Sequence, residues 1–352
     1  MSKSRRYSII GLCALLFIVL ITWYFTRTAQ VAVPPAIAHG YSKALKQAHN
    51  GEPGAARVLY QQLGRPDLSD VRRAALHVEL PNYPSPQALK LADKDLANEA
   101  PMVRQAAIHS VVGLVPSGQR TLLLGPLLED PEQSVRFAAA NALLGLSPDT
   151  LGLYFGPLQR VLDEFEKQLK GQPETAEGWI QLARLYIHNA RLVEAQSALE
   201  QALRLAPDNL PAVVAQIELL DKQGKVDDSR QLLANQLQAH PESAYLQHAL
   251  GMWLLHHGER EYALLGLSKA VELEPDNQDY RYDLATTLHA QQELEAAQRQ
   301  LEEIVQRHPE NRKARVLLVN YWTQSGQLQN VQVLLAQLEQ QNPDDPALQQ
   351  GL

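Results

Sequence analysis

Six prolines set the frame of this chain: Pro173, Pro207, Pro241, Pro275, Pro309 and Pro343 recur at one constant interval without a slip. Proline has no N–H and cannot continue a helix, so each one marks where a helical segment must end. The stretches between them carry apolar residues at helical spacing, with room for two helices each. The chain from Pro173 to Pro343 is therefore punctuated as five antiparallel helix pairs.

The first interval repeats a size pattern as well as a length. Trp179, Leu182, Ala183, Tyr186, Ala195, Leu199, Ala202 and Pro207 alternate large, small and aromatic residues. Leu250, Gly251, Leu254, Gly258, Ala263, Leu267, Ala270 and Pro275 follow the same order, as do Leu284, Ala285, Leu288, Ala297, Leu301 and Pro309. Small residues let paired helices approach and large ones fill the gap. In intervals two and five Ile217 and Val319 replace the small residue of the first helix, and Ser229 and Val331 replace the alanine of the second, which predicts altered helix spacing there. Period and pattern together resemble the tetratricopeptide (TPR) family.

A second period lies upstream. Val71-Arg72-Arg73-Ala74-Ala75, Val103-Arg104-Gln105-Ala106-Ala107 and Val135-Arg136-Phe137-Ala138-Ala139 share the pattern V-R-x-A-A at equal intervals. This resembles HEAT repeats, in which each unit is again two helices and such a run lies on the second. First helices fit at Pro53 to Leu63, Pro86 to Leu96 and Ser117 to Leu128, and acidic turns are supplied by Asp67 with Asp70, by Glu99, and by Asp130 with Glu132. Arg72, Arg104 and Arg136 would form an anion-binding ladder or, as the more ordinary reading, pair with those turn carboxylates. The expected fold class is all-α: an α-solenoid of HEAT-like and then TPR hairpins, preceded by one transmembrane helix.

Charge is distributed unevenly along the 352 residues. The net −7 splits into +4 over residues 1–30, 0 over 31–172 and −11 over 173–352. So acidic a carboxyl-terminal array repels phosphate backbones, which argues against nucleic acid and for basic or neutral polypeptide partners.

Tyr7 to Phe25 is a run of 19 residues without charge, preceded by Lys3, Arg5 and Arg6 and ending in Trp23, Tyr24 and Phe25. At about 1.5 Å of rise per residue it crosses most of a hydrocarbon layer of about 30 Å. The positive-inside rule leaves the first residues in the cytoplasm and delivers the remainder across a bacterial inner membrane to the periplasm, as a single-pass protein. A cleaved signal peptide finds only a poor site at Thr26-Arg27-Thr28-Ala29, Ser4-Arg5-Arg6 is a weak match to a twin-arginine signal, and Cys13 lacks the small preceding residue of a lipoprotein.

Cys13 is the only cysteine, so an intrachain disulfide, a CxxC redox pair and a CxxCH haem attachment are excluded. No GxSxG, HExxH, P-loop or dinucleotide turn occurs. No enzyme activity and no cofactor are expected. What remains is histidine: His248, Met252 and His256, spaced i, i+4, i+8, share a helix face that begins at Tyr245. His and Met ligate haem iron or copper, but two histidines two turns apart lie about 12 Å from each other along the axis, too far to chelate one metal.

In TPR proteins that face lines the concave groove, so the resemblance implies a polypeptide-binding surface. Its expected residues are Ile180 and Arg184, Val214 and Glu218, then Tyr245, His248, Met252 and His256, then Tyr282, Thr286 and His289, and finally Val316 and Asn320, with Glu177, Asp221, Asp279, Lys313 and Thr323 at equivalent positions. The lysine and asparagine clamp of chaperone-tail receptors is missing, because Ile180, Arg184, Ala215, Tyr245 and Ala249 occupy its places.

The organisation expected is a cytoplasmic tip and anchor over 1–30, a spacer over 31–52 stiffened by Pro34-Pro35, HEAT-like units over 53–146, a linker with a bridging helix over 147–172, five TPR units over 173–345 and a tail over 346–352. The bridging helix, Pro157 to Leu169, turns Leu158, Val161, Leu162, Phe165 and Leu169 to one side. So short a tail would leave the last apolar edge open to a partner or to another copy of the chain.

Pro173-Glu174-Thr175-Ala176-Glu177-Gly178-Trp179, followed by Leu182-Ala183-Arg184-Leu185-Tyr186, resembles the opening TPR of the membrane-anchored periplasmic subunit of cytochrome c maturation systems. The HEAT-then-TPR order, joined through Leu151-Gly152-Leu153-Tyr154-Phe155, is similar to the carboxyl-terminal part of some multihaem cytochromes c. These resemblances imply a scaffold for a polypeptide client in c-type cytochrome biogenesis. The alternatives are a general envelope-assembly or chaperone-like factor, and a haem-handling protein.

Overall fold

In the computed structural model, residues 35–171, 175–188 and 191–349 are described. The expected transmembrane run Tyr7–Phe25, Cys13 and Pro173 lie outside them. Among the described residues there is no strand, and no helix is long and apolar enough to cross a membrane. The chain divides into two compact units, Met1–Lys43 and Ala44–Leu352. The stretch expected as a stiff spacer is largely helical, because α1 runs from Pro35 to His49. Pro35 opens this helix, where its missing N–H costs nothing.

Five hairpins follow the proline clock. Their first helices are α10 (Ala176–His188), α12 (Leu210–Lys222), α14 (Ala244–His256), α16 (Gln278–Ala290) and α18 (Arg312–Gln324). Their second helices are α11 (Leu192–Leu205), α13 (Val226–Ala239), α15 (Arg260–Leu273), α17 (Leu294–Arg307) and α19 (Leu328–Gln341). Each first helix begins three residues after a proline, directly after a capping side chain. Asn209, Ser243, Asn277 and Asn311 accept the N–H of Ala212, Leu246, Tyr280 and Ala314, and Thr175 accepts that of Gly178. A cap at each start satisfies an otherwise orphaned donor and stabilises the helix by about 1 kcal/mol.

The size pattern builds the core as expected. Ala195, Leu199 and Ala202 of α11 are fully buried, as are Ala263, Leu267 and Ala270 of α15. Backbones come close between α14 and α15, where a Cβ on Gly266 would lie 2.8 Å from the Gln247 carbonyl oxygen. As expected, the paired helices of the two irregular hairpins approach one another less closely than those of the other three. Ser229, fully buried, accepts the Trp253 indole N–H at 3.0 Å from the next hairpin, and Val319 and Val331 join one apolar cluster with Leu301 and Leu318.

Upstream, three helix pairs carry the V-R-x-A-A runs on their second members. The pairs are α2 (Ala55–Leu63) with α3 (Asp70–Glu79), α4 (Pro86–Asp95) with α5 (Pro101–Leu114), and α6 (Ser117–Leu124) with α7 (Gln133–Leu143). The register of the first run is displaced from the expectation. Val103 and Val135 are fully buried but Val71 is 65% exposed, and Leu76 and Leu80 take the inward places of Ala107 and Val111. Two leucines bury more apolar area than the alanine they displace, and α3 has rolled by one residue to accommodate them.

The arginine row shifts accordingly: Arg73, not Arg72, stands in line with Arg104 and Arg136. Arg73 donates to the Leu63 carbonyl at 2.7 Å and to Asp95 at 3.0 Å, and Arg104 donates to the Asn98 carbonyl at 2.7 Å and to Asp130 at 2.8 Å. Arg136 holds the Asp130 carbonyl at 2.7 Å and Glu164 at 3.0 Å. Each guanidinium ties its own turn to a carboxylate further along the chain, so the row is an internal set of pairs.

After a short turn of helix, α8 (Pro148–Leu151), the helix α9 (Phe155–Gly171) turns Leu158, Val161 and Leu162 inward. Phe165 meets Phe137 at a ring separation of 4.5 Å. The same helix presents Glu166, which accepts from Tyr186 at 2.8 Å and pairs with Arg191 and Lys170, each at 2.6 Å. Burial raises the Glu166 carboxyl, but the three donors outweigh it and hold the group down at about 2.

The last hairpin does not end in an open edge. The Gly54 N–H donates to the Gln340 carbonyl at 2.7 Å, the Gln341 side-chain amide donates to the Gly51 carbonyl, and the Asn342 amide donates to the Pro84 carbonyl at 2.7 Å. Partners 290 residues apart in sequence thus meet, and Ala44–Leu352 closes on itself. The curvature of the stacked hairpins brings the loop after α1 against α19, where it covers the edge that the sequence leaves uncapped. The final turn, α20 (Pro346–Gln349), is secured by Asp345, which accepts two bonds of 2.7 Å from Arg312.

Candidate functional site

The groove residues expected from sequence lie on the first helices of the five hairpins, and the structure sorts them by exposure. Arg184, Glu218, Met252 and His256 are exposed, and Val214, Tyr245, His248, Tyr282, Thr286, His289, Val316 and Asn320 are half-buried. Ile180 is the exception. It is fully buried against Ala202 and Ala212 beside Trp179 and Leu203, so it belongs to the hairpin core and cannot touch a client. An isoleucine gains more from closing that gap than from solvent contact.

His248 does not stand free. Its Nε2 lies 2.8 Å from Asp283 Oδ2 of the next hairpin, and its ring stacks on Tyr280 at 4.6 Å. His289 repeats the arrangement one hairpin later, with Nε2 2.8 Å from Gln324 Oε1 and its ring 3.8 Å above Tyr321. In each case the acceptor lies 35 residues ahead of the histidine, and the aromatic partner three positions before that acceptor. One step of the repeat brings those offsets together, which is why no motif within one hairpin reveals them. Burial, reinforced by Tyr282, pushes the Tyr321 phenol up to about 12, so it stays a neutral stacking surface.

His256 turns the opposite way. Its Nε2 lies 3.5 Å from Asp221 of the preceding hairpin, and the same carboxylate faces His257 Nε2 at 3.0 Å. His257 stacks on Trp253 at 4.0 Å and bonds the Trp253 carbonyl through Nδ1 at 2.8 Å. The histidines that sequence places on one helix face are thus drawn to different neighbours, with Met252, 41% exposed, between them. His257 and Trp253 were not singled out from the sequence, because they fall beside the expected stripe.

Tyr282 lies beneath the Lys313 ammonium, 3.8 Å from the ring centre, and Thr286 donates its hydroxyl to the Asp283 carbonyl at 3.0 Å. Where α7, α9 and α10 meet, Asn141, Leu144, Phe165, Glu177, Gln181, Arg184 and Leu185 line a depression of about 470 Å³. Chemically this set of helix-face residues offers stacked aromatic and imidazole surface, the carboxylates Glu218, Asp221 and Asp283, the Lys313 ammonium and a flexible thioether. Among the described residues no group of three His, Cys, Asp or Glu side chains is arranged to hold a metal ion.

One further constellation escaped the sequence reading. His77 lies 2.8 Å from Ser110 Oγ and 2.9 Å from Asp95 Oδ2, with Arg73 on the same carboxylate. These are the residue types of a serine nucleophile with its base and orienting acid. Both His77 and Ser110 are fully buried, so no substrate reaches the hydroxyl and the network ties α3, α4 and α5 together. Burial raises Asp95, and the bonds from His77 and Arg73 more than offset this, leaving it below the usual carboxylate range.

Stacked antiparallel hairpins with capped starts define a helical-repeat solenoid. Residues 189–252 and 265–334 each match a tetratricopeptide-repeat family model, and these stretches are TPR repeats. TPR proteins are protein–protein interaction scaffolds. The chain is 32% identical over 101 residues to the uncharacterized protein y4yS of Sinorhizobium fredii, covering 29% of this chain and 56% of that one. It is 28% identical over 112 residues to the human tetratricopeptide repeat protein 7A, covering 32% of this chain and 13% of that one. The chain therefore spans about half of the first relative and a small part of the second.

Among solved structures it is similar to yeast Tom70, with 15% identity and a TM-score of 0.49 over 81% of this chain and 59% of that one. It is also similar to pilF of Pseudomonas aeruginosa, with 18% identity and a TM-score of 0.38 over 56% of this chain and 89% of that one. These likenesses concern helical architecture alone.

Proposed function

We propose that this chain is a non-enzymatic scaffold whose inner face holds a polypeptide client. The observation that carries the reading is the inner face itself. His248, Tyr282 and His289 are half-buried, oriented by Asp283, Lys313 and Gln324, and flanked by the exposed Met252. Side chains held in place by neighbours lose little entropy on contact with a partner, which favours binding. The carboxylates Asp221, Asp283 and Glu218 select basic or neutral segments over acidic ones.

The N-terminal run Tyr7–Phe25 holds the protein in a bacterial inner membrane, and the solenoid works in the periplasm. The three upstream pairs act as HEAT-like units. The motif resemblances support a client from c-type cytochrome biogenesis over a general envelope-assembly substrate, and over a haem-handling role in which His248 or His256 would have to leave its carboxylate. Alanine in place of both His248 and Tyr282 is expected to reduce client recovery from envelope extracts at least tenfold, and unchanged recovery would refute the assignment. A reporter fused at Leu352 that is active only in the cytosol would refute the placement.

A further inference from the structure

We propose that the seam joining Gly51–Gly54 and Pro84 to the fifth hairpin is a latch, which opens before any other part of the molecule to admit a polypeptide to the inner face. The gating role rests on the function proposed above, whereas the opening itself does not. Three observations carry it.

Three hydrogen bonds between described residues cross the seam from two side-chain amides and one main-chain N–H, and these three end on main-chain carbonyls. Water replaces such bonds at little net cost once the groups are exposed. The seam also encloses a guanidinium that touches no carboxylate. Arg315 is 2% exposed and bonds only the Gln341 side chain, and its Nε has no partner. Of the other buried arginines, Arg73 and Arg104 each hold a carboxylate, and Arg281 is satisfied instead by the Pro275 carbonyl and the Gln300 side chain. Asn342 Oδ1, also buried in the seam, is equally without a partner. A buried charge lacking an anion in contact is a standing penalty that hydration relieves.

The repeat supplies the third observation. Arg281 stands one period earlier, at the position equivalent to Arg315, and donates to the Pro275 carbonyl at 2.9 Å. In the fifth hairpin Gly51 presses on the equivalent Pro309 carbonyl so closely that a Cβ would lie 2.6 Å from its oxygen and 2.9 Å from Arg315 Nη2. Arg315 makes no bond to that carbonyl. Withdrawal of the Gly51 loop frees the carbonyl for the bond Arg281 already makes, so the open form compensates for contacts the closed form gives up.

Native-state hydrogen exchange on the full-length chain tests the latch directly. The Gly54 amide, bonded to the Gln340 carbonyl, is expected to exchange at least ~10³-fold faster than the amides of Leu267 and Ala270 in α15. Arg315→Met, which removes the unpaired charge, is expected to slow Gly54 exchange about tenfold. Gly51→Val is expected to speed it without changing α15. Exchange of Gly54 only at the rate of global unfolding, or acceleration by Arg315→Met, would overturn the proposal. If Gly51→Val prevents folding, the wild-type and Arg315→Met measurements still decide.

Gating is tested with Gly54→Cys/Gln340→Cys in a Cys13→Ser background, since a main-chain bond between these residues sets their Cα atoms within disulfide reach. Client capture by the reduced form and its loss on oxidation supports gating, and equal capture by both forms overturns it. Capture by neither form would count against the proposed function, while the exchange result stands on its own.

Discussion

The turn between the two helices of each hairpin offers a substitution whose sign is fixed by the repeat. Gly224, Gly258, Gln292 and Gly326 occupy the same place in four successive hairpins. The three glycines have φ of 75°, 81° and 75°, and Gln292 is held at 66°. A left-handed conformation costs a side-chain-bearing residue about 1–2 kcal/mol. Glycine avoids that cost but gives up about 0.5–1 kcal/mol more chain entropy on folding.

Gln292 is exposed, so its side chain contributes little packing to offset the strain. Gln292→Gly is therefore expected to stabilise the chain by about 0.5–1 kcal/mol. The reverse change, Gly258→Gln, should destabilise by a similar amount. Urea titration followed by circular dichroism reads both, with the midpoint moving and the slope unchanged. If Gln292→Gly lowers stability while Gly258→Gln leaves it unchanged, backbone conformation is not the controlling term and the reasoning fails.

Other consequences are equally direct. Glu166 has a folded pKa below its unfolded value, so the stability it confers is complete above about pH 4.3 and is lost as the pH falls through about 2; Glu166→Gln should flatten the acid limb of the stability curve, and an unaltered limb would exclude this carboxylate as its source. Ser229→Ala leaves the Trp253 indole N–H without its acceptor and should cost about 1–3 kcal/mol, read in chemical denaturation with tryptophan fluorescence as the probe. Arg104→Met strands the buried Asp130 carboxylate and should cost about 3–5 kcal/mol, whereas Arg72→Met, outside the aligned row, should cost under about 1 kcal/mol. Gly266→Val drives a side chain into the Gln247 carbonyl and the Gly251 nitrogen, both backbone atoms that cannot swing aside, and should destabilise by about 1–3 kcal/mol in thermal melts.

Much of the architecture was readable from local chemistry. Evenly spaced prolines end one hairpin and announce the next, and asparagine, serine or threonine at the second position after each of the first five caps the following helix. The caps carry a signal as regular as that of the prolines, although the expectation of five hairpins rests on the prolines and the apolar pattern between them. The upstream motif was readable in outline but wrong in register at its first copy. The pattern V-R-x-A-A is satisfied at Val71, yet Leu76 and Leu80 have the larger apolar surface to bury and decide which way α3 faces.

The candidate site was legible only as a list of residues on one side of successive helices. Which of them remain accessible, and what they touch, depends on the superhelical translation. It buries Ile180, carries His248 to Asp283 and His289 to Gln324, and turns His256 back to Asp221.

Taken by itself, the sequence determined the helical hairpins and their number between Pro173 and Pro343, because these follow from backbone stereochemistry and the period of apolar residues. Tertiary structure alone decided the pairs between hairpins, the sealed Ser110, His77 and Asp95 network, and the closure of Gly51–Gly54 on Gln340 and Gln341. Small rotations between successive hairpins accumulate over the whole array. No local window of sequence encodes their sum, and that sum determines whether the two ends of the solenoid meet.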